Sequence, residues 1–369
     1  MNEDSPQKPE TPTPKRRRRK RVVLLFLVLL SAVTLIAAEV VVRIYVHLRG
    51  WTPNCYAGSV DLFQPHPDTG YVLRPGFRLQ SGVWKISINE AGCRGPEVAQ
   101  QKRPGTKRVA ILGGSSVFGY LVSDGLEAAR LLEGQLIEEG DAEPKFEVIN
   151  GGVPGHNLNQ TRWRFENQIA LFEPDLVILY LGWNDLGYIV SEDPQAEPFH
   201  KRPVASMLTR IASRSTLYGL VAYRLIGGAA TLSAETLTAT KPSASGGKMF
   251  RENLSTLIQA AKRRGCQVAV CAQVTAAHPD SDKALHSFLG SDPGTQRGMI
   301  DLGEWQRSIL REEAERAGVT FADLNETIPP NADNLRDYVH LSEAGEQQLA
   351  RELAKIVHRE LDLVPFEKR

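Results

Sequence analysis

The sequence predicts an α/β fold in which helices cover both faces of a parallel five-stranded sheet, preceded by one transmembrane helix. Short runs of apolar and β-branched residues alternate with segments of helical periodicity along most of the chain. This alternation is typical of a three-layer α/β/α architecture. A separate uncharged apolar stretch lies behind a basic run near the amino terminus. At 369 residues the chain can bury one large core and a smaller appendage.

The predicted strands are residues 108–112, 146–149, 175–181, 267–272 and 319–323. Helices are expected between and after them, at 157–172, 250–261, 304–317 and after the N-cap candidate Ser342. The apolar face of the final helix consists of Leu349, Ala350, Leu353, Ile356 and Val357. Because ligands in such folds bind beyond the carboxyl ends of the strands, a site is expected in the segments that follow them.

The amino terminus predicts a membrane anchor. Residues 1–21 are polar and proline-rich, hence predicted to be disordered, and end in a basic run that begins at Lys15. Residues 22–42 carry one charge, Glu39, and would form a helix of about 31 Å, enough for the ~30 Å hydrocarbon core. Since basic flanks stay in the cytoplasm, the rest of the chain is expected on the extracytoplasmic (periplasmic) side of the cell inner membrane.

Cleavage as a signal peptide is the alternative to an anchor. The stretch Ile36-Ala37-Ala38 is a poor small-x-small cleavage site, which favours a retained single-pass helix.

Seven cations lie in the basic run, whereas the whole chain has a net charge of +1, so the rest of the chain is net acidic. This balance argues against nucleic acid as a partner and favours anionic lipid headgroups for the basic run.

The chain contains four cysteines. Cys266 and Cys271 cannot easily pair, because their odd spacing on a strand places them on opposite faces. Cys55 and Cys93 are the candidates for a disulfide, and two free thiols are the alternative. Neither paired cysteines at zinc spacing nor a His-Glu-x-x-His pattern occurs, so neither a metal nor another cofactor is expected.

The first candidate catalytic residue is Ser115. It follows the predicted strand 108–112 in a tight glycine turn, before a stretch that can become helical. A serine on such a turn exposes its hydroxyl, and the N–H groups of the turn point into the same space. The next residue, Ser116, is expected to enter the helix and to contribute mainly through its backbone. Alone, such a turn is more often structural than functional.

His340 and Asp337 are the candidates for the base that Ser115 needs and for the carboxylate that orients this base. A serine hydroxyl needs a base to take its proton, and histidine is suited to that task near neutral pH. Asp337 lies three residues before His340, close enough to accept the proton of the far ring nitrogen and to fix the tautomer. The sequence therefore predicts a Ser115–His340–Asp337 triad.

Two further segments are predicted to stabilise an oxyanion. Strand 175–181 runs into Gly182, so the amide of Asn184 should emerge at the same sheet edge as Ser115. Strand 146–149 leads into a glycine-rich turn in which the backbone N–H of Gly155 is the preferred donor. His156 either lines this pocket or, as the more common case, is a solvated loop residue.

These segments resemble those of the SGNH (GDSL-type) hydrolase superfamily. Residues 113–119, Gly-Gly-Ser-Ser-Val-Phe-Gly, are similar to the family's Gly-Asp-Ser-Leu-Thr-Phe-Gly, with Gly114 in place of the aspartate. The resemblance spans residues 108–360 and implies a flavodoxin-like fold, a nucleophile at Ser115, and oxyanion donors from Ser115, Gly155 and Asn184. It also implies that Asp337 and His340 complete the triad. Residues 70–75 and 88–95 more loosely resemble the lead-in of membrane-anchored bacterial members.

The chain is accordingly divided into a tail (1–21), a signal anchor (22–42), a lead-in segment (43–107) and a hydrolase domain (108–362). Residues 186–249 form an insertion in that domain. Its predicted contents are two short amphipathic helices between Met207 and Ile226, followed by a flexible Ser/Thr/Ala/Gly-rich run to Gly247. The insertion is expected to form a lid, to face the membrane, or to pack on the sheet edge. A second loop, 278–300, is expected near the site.

The function that follows is an extracytoplasmic serine esterase, a carboxylic ester hydrolase. The leading substrate is an O-acetylated envelope glycan, because that polymer is what such a domain meets outside the membrane, and a lipid ester is the second. An O-acetyltransferase with the same acyl-enzyme chemistry is one alternative. A catalytically silent glycan-binding module is another.

Overall fold

The computed structural model describes residues 14–48, 62–81, 84–138, 145–194, 215–218 and 240–362. Its first element is the helix α1 (Pro14–Leu48). Within it, Arg18–Tyr45 is long and apolar enough to cross a membrane, although a signal sequence near an amino terminus would pass the same test. Most of the large apolar side chains that are described in this helix are exposed. They therefore form an apolar surface that the folded domain does not cover.

Two antiparallel hairpins precede the main sheet. The first pairs β1 (Phe63–His66) with β2 (Gly70–Leu73), and the second pairs β3 (Arg78–Ser81) with β4 (Trp84–Ser87). Side chains of the hairpins form a small apolar cluster with Phe118, in the short helix after one strand of the main sheet, and with Val153, in the turn after another. The lead-in segment thus packs against the turns at which the sequence predicts the site.

The main sheet consists of five parallel strands in the order β6-β5-β7-β8-β9. The strands are β5 (Thr106–Gly113), β6 (Lys145–Asn150), β7 (Leu176–Leu181), β8 (Gln267–Ala272) and β9 (Thr320–Asp323). Every residue of β7 is buried, as expected of a central strand with both faces covered. This order is the flavodoxin-like one, in which β5 and β7 flank the switch point.

Helices cover both faces of the sheet. They are α2 (Ser115–Phe118), α3 (Ala128–Glu138), α4 (Leu158–Asn167), α5 (Leu186–Val190), α6 (Ala244–Arg263), α7 (Pro293–Ala317) and α8 (Glu343–Glu360). Helices α3 and α8 pack together on one face, and α4, α6 and α7 form the layer on the other. All five apolar positions predicted for α8 are buried, and Ser342 caps the helix by accepting the Gly345 N–H.

The predicted fold class and all five strands are confirmed, whereas several boundaries differ. Helix α7 begins eleven residues earlier than predicted, because Asp292 caps it and Pro293 occupies its first turn. The 278–300 segment therefore contains the start of α7 and a 3-10 helix, Lys283–Phe288. The predicted flexible run ends in a helix, since Ser243 caps α6. The helix predicted over 157–172 ends at Asn167 and continues as the 3-10 turn Ile169–Phe172.

Most of the insertion, including the two helices predicted between Met207 and Ile226, lies outside the described residues. The described part contains α5, the start of α6 and a helical turn at 216–218. Residues 1–13 and Cys55 also lie outside. Cys93 is buried and free, and its sulfur accepts a hydrogen bond from Arg164 (3.3 Å).

Candidate active site

The turns after β5, β6 and β7 and the loop before α8 meet at the carboxyl edge of the sheet. Ser115 begins α2 directly after the β5 turn, and the Ser115 hydroxyl oxygen lies 2.8 Å from Nε2 of His340. His340 Nδ1 lies 2.6 Å from Oδ2 of Asp337. With Nδ1 protonated and donating to Asp337, Nε2 is the acceptor for the Ser115 O–H. The chain therefore brings together a hydroxyl, an imidazole and a carboxylate in the order that activates a nucleophile.

The imidazole of His340 is fixed by more than the carboxylate. Oδ1 of Asp337 accepts the backbone N–H groups of Val339 (2.9 Å) and His340 (2.8 Å), which leaves Oδ2 for the ring. Burial raises the pKa of Asp337, but the charge and hydrogen bond of His340 and these two N–H groups outweigh it and hold the pKa below its usual range. The ring of Tyr120 stacks on the imidazole with centroids 4.6 Å apart.

Three groups at this edge can donate to an oxyanion. The backbone N–H groups of Ser115 and Gly155 have no hydrogen-bond partner among the described residues. Gly155 has φ +81°, a conformation that other residues rarely adopt. The side-chain amide of Asn184 donates one N–H to the His156 carbonyl (2.8 Å), and its second N–H is available for a ligand.

Gly114 stands where the motif of the superfamily has an aspartate, and the structure gives a reason for this difference. A Cβ atom at this position would lie 2.2 Å from Nδ2 of Asn184. The asparagine amide therefore packs directly over the glycine, in space that an aspartate side chain would need. In this chain the turn before Ser115 is supported by contact with Asn184 rather than by a side chain at 114.

The Asn184 turn and the Gly155 turn are also joined through Asp185. Oδ1 of this buried aspartate accepts the N–H of Leu158 (2.8 Å) at the start of α4. Burial raises the pKa of Asp185 to about 7, and the Leu158 N–H acts in the opposite direction. Together with the bond from Asn184 to the His156 carbonyl, this contact fixes the two candidate oxyanion segments relative to each other.

Arg94, which the sequence did not single out as a site residue, holds the turn that follows Ser115, the candidate nucleophile. Its guanidinium is buried and donates to the carbonyls of Phe118 (2.8 Å), Gly119 (2.5 Å) and Val122 (2.8 Å). It also pairs with Asp124 (3.2 Å). Four donor contacts from one buried cation fix the path of residues 118–124. A buried arginine is not apparent from sequence pattern, because arginine is mostly an exposed residue.

The structure excludes one of the two alternatives for His156, and Ser116 enters the helix as predicted but makes a side-chain contact that was not predicted. His156 is buried rather than solvated; its Nε2 lies 3.0 Å from the Tyr71 carbonyl, and its ring packs edge-on against the Tyr71 ring. Ser116 contributes through its side chain and not only through its backbone, because its buried hydroxyl donates to the Val339 carbonyl (2.9 Å).

The family model of GDSL-like lipases and acylhydrolases matches residues 111–348. This match covers more than half of the chain and includes all four segments of the site. The chain belongs to the GDSL-like lipase/acylhydrolase family. It is therefore a GDSL-type acylhydrolase, a serine ester hydrolase, and the predicted enzyme class is confirmed. No curated protein matches the sequence significantly.

Among solved structures, an acetyl xylan esterase, AlAXEase, aligns over 68% of this chain and 99% of its own, with 17% identity and a TM-score of 0.41. The lipase/acylhydrolase from Enterococcus faecalis aligns over 70% of this chain and 98% of its own, with 18% identity and a TM-score of 0.41. A catalytic mutant of Axe2, an acetylxylan esterase from Geobacillus stearothermophilus, aligns over 70% of this chain and 95% of its own, with 16% identity and a TM-score of 0.41.

Proposed function

We propose that this acylhydrolase acts through a Ser115–His340–Asp337 triad on acetyl esters of an envelope glycan outside the cytoplasmic membrane. The observation that carries the triad is the 2.8 Å contact between the Ser115 hydroxyl and Nε2 of an imidazole whose other nitrogen lies 2.6 Å from Asp337. The alternative of a catalytically silent glycan-binding module does not explain why the serine, the histidine and the aspartate are aligned for proton transfer.

In the proposed reaction, the Ser115 oxygen bonds to the ester carbonyl carbon while its proton passes to Nε2 of His340. The negative oxygen that forms is held by the N–H groups of Ser115 and Gly155 and by the amide of Asn184. When the ester C–O bond breaks, His340 gives the proton to the leaving-group oxygen, which departs as an alcohol. Water then attacks the acyl-Ser115 ester, His340 takes its proton and returns it to Ser115, and the carboxylic acid leaves.

The proposed location of the catalytic domain outside the membrane rests on the helix α1. The helix Arg18–Tyr45 is mostly exposed and begins within the basic run 15–21, as expected of a single membrane span with the basic side in the cytoplasm. Glu39, the acid near its outer end, accepts hydrogen bonds from Ser215 Oγ (2.6 Å) and from the N–H groups of Thr216 (2.8 Å) and Leu217 (2.9 Å). Of the described residues of the insertion, 215–217 thus contact the span, which supports a position of this short segment beside the membrane.

We expect a reporter that is active only outside the inner membrane to be active when fused after Arg369. The reason is that positive charge before the span retains the amino terminus in the cytoplasm. The same reporter placed before Met1 is the control and should be inactive. Activity of the amino-terminal fusion alone would place the catalytic domain in the cytoplasm and remove the basis for an envelope substrate.

The substrate is tested by acetate release. The full chain in detergent should release acetate from O-acetylated envelope polymers with no acceptor present, and the Ser115→Ala variant should not. Release from an acyl lipid but from no polymer would make a lipid ester the substrate. If acetyl groups appear only on an added sugar hydroxyl, with no free acetate, the enzyme is an O-acetyltransferase.

A further inference from the structure

Ser116 occupies the position at which the name motif of the superfamily has a leucine, and in this chain it is a buried polar residue. Its hydroxyl donates to the carbonyl of Val339 (2.9 Å), the residue directly before His340. The same oxygen accepts a hydrogen bond from the side-chain amide of Gln273 (2.5 Å). The nucleophile turn is therefore bonded to the loop that carries the base through a side chain next to Ser115.

Gln273 extends this connection to the third segment. Its Oε1 accepts the backbone N–H of Trp183 (2.9 Å), the residue directly before Asn184. Its own backbone is fixed between neighbouring strand ends, because its N–H donates to the Leu181 carbonyl (2.9 Å) and its carbonyl accepts the amide of Asn325 (3.0 Å). Gln273 is 7% exposed and Ser116 1% exposed, so water does not compete for these bonds.

We propose that Gln273 and Ser116 form a clamp that sets the distances between nucleophile, base and oxyanion donor. The clamp runs from Trp183 through the Gln273 amide and the Ser116 hydroxyl to Val339. Gln273 and Ser116 are positioning residues, since neither contacts the reacting atoms. The proposal rests on the triad and on the role of Asn184 proposed above. It adds Gln273, a residue outside the four segments, as the group that aligns the segments of Ser115, Asn184 and His340.

The clamp positions these segments rather than holding them folded. The Tyr338 carbonyl is bonded separately by the Thr275 hydroxyl (3.0 Å) and by the Ala276 N–H (2.8 Å), so the loop keeps a connection to the β8 end when the clamp is lost. Loss of the clamp should therefore free the placement of His340 and Asn184 without unfolding the loop. Misplacement of catalytic groups by about 1 Å lowers rates by about 10²-fold.

The test compares Gln273→Met, Gln273→Glu and Ser116→Ala with the parent, as full chains in detergent. Methionine keeps the length of the side chain but neither hydrogen bond. A buried glutamic acid in its protonated form can accept from Trp183 and donate to Ser116, so it restores the clamp. The control is Thr320→Val, which removes a hydroxyl bonded to Glu360 (2.5 Å) at the start of β9, away from the site. The measurements are kcat and KM on p-nitrophenyl acetate, the rate of phosphonate labelling of Ser115, and the melting temperature.

We expect Gln273→Met to lower kcat and the labelling rate by roughly 30- to 100-fold, with KM changed less than about threefold. Gln273→Glu should recover most of that loss, and Thr320→Val should keep the parental kcat. Because both residues belong to one clamp, Gln273→Met combined with Ser116→Ala should be little slower than the slower single variant. Equal kcat in Gln273→Met and the parent, or losses that multiply in the double variant, would overturn the clamp alone. A parent that is not labelled at Ser115 would overturn the proposed triad, and the clamp with it.

Discussion

Ser115→Ala should abolish phosphonate labelling and lower kcat on a p-nitrophenyl ester by about 10⁵-fold or more. The Ser115 hydroxyl is the group that lies 2.8 Å from Nε2 of His340, so its removal leaves the imidazole without a nucleophile to activate. Residual ester cleavage would come from direct attack of water on the ester, with the oxyanion donors stabilising the negative oxygen that forms. The variant should fold, because the change is small and Ser115 is only half-buried. Initial rates and mass-spectrometric mapping of the adduct measure both effects.

Ser116→Ala is the matched control for this prediction. It should lower the labelling rate through loss of the clamp, but the adduct should remain on Ser115. The two serines are thereby distinguished by the site of the adduct as well as by rate. An adduct on Ser116, or full activity in Ser115→Ala, would contradict the alignment from which every other site residue is assigned.

The fold was predictable because local pattern and tertiary position agree in this chain. The all-apolar run of β7 is typical of a central parallel strand, and the apolar positions of α8 repeat at helical spacing. Helix starts were harder to place. Asp292 and Ser243 are ordinary cap residues in polar, proline-containing surroundings that equally suit a loop, so α7 and α6 were predicted too short.

The candidate site was predictable for a geometric reason. In a parallel sheet all carboxyl ends lie at one edge, so turns far apart in sequence must meet there. The contacts made by Gln273 could not be predicted in the same way. Gln273 follows β8 at that same edge, but its partner Ser116 lies 157 residues away, and no local pattern predicts which side chains pair over such a separation. The same holds for Arg94, whose partners lie 24 to 30 residues further along the chain.

Gly114 illustrates how a departure from a family motif is accommodated. Without a side chain at 114, the Asn184 amide lies against the nucleophile turn and bonds to the His156 carbonyl. The absence of a side chain at 114 therefore leaves room for one candidate oxyanion donor to lie directly against the turn that carries Ser115. In this chain the turn is supported by contacts between segments, in which Asn184, Ser116 and Arg94 take part.

Asp337→Asn should lower kcat by about 10⁴-fold while the fold is kept. The structure gives a specific reason. Oδ1 of Asp337 accepts the N–H groups of Val339 and His340, so an asparagine must keep its oxygen there and direct its NH₂ group at Nδ1 of His340. Nδ1 would then accept a hydrogen bond and the proton would reside on Nε2, which faces Ser115. In that tautomer the imidazole cannot take the serine proton. Initial rates on a p-nitrophenyl ester, with the melting temperature as the measure of folding, test this.

The control for the lost charge is Asp175→Asn. Asp175 lies before β7, at the opposite end of the strand from Asn184, where it pairs with Lys102 (2.9 Å) and accepts the Arg108 N–H (2.7 Å). Burial raises the pKa of Asp175, but the hydrogen bond of Lys102, the Arg108 N–H and the charges of Lys102 and Lys107 outweigh it and hold the pKa below its usual range. Removing the charge of Asp175 should therefore lower stability. Asp175 does not contact the triad. The kcat of Asp175→Asn should therefore stay within about threefold of the parental value, far from the loss expected for the wrong His340 tautomer in Asp337→Asn. If Asp337→Asn also kept kcat within that range, a group other than Asp337 would have to orient His340.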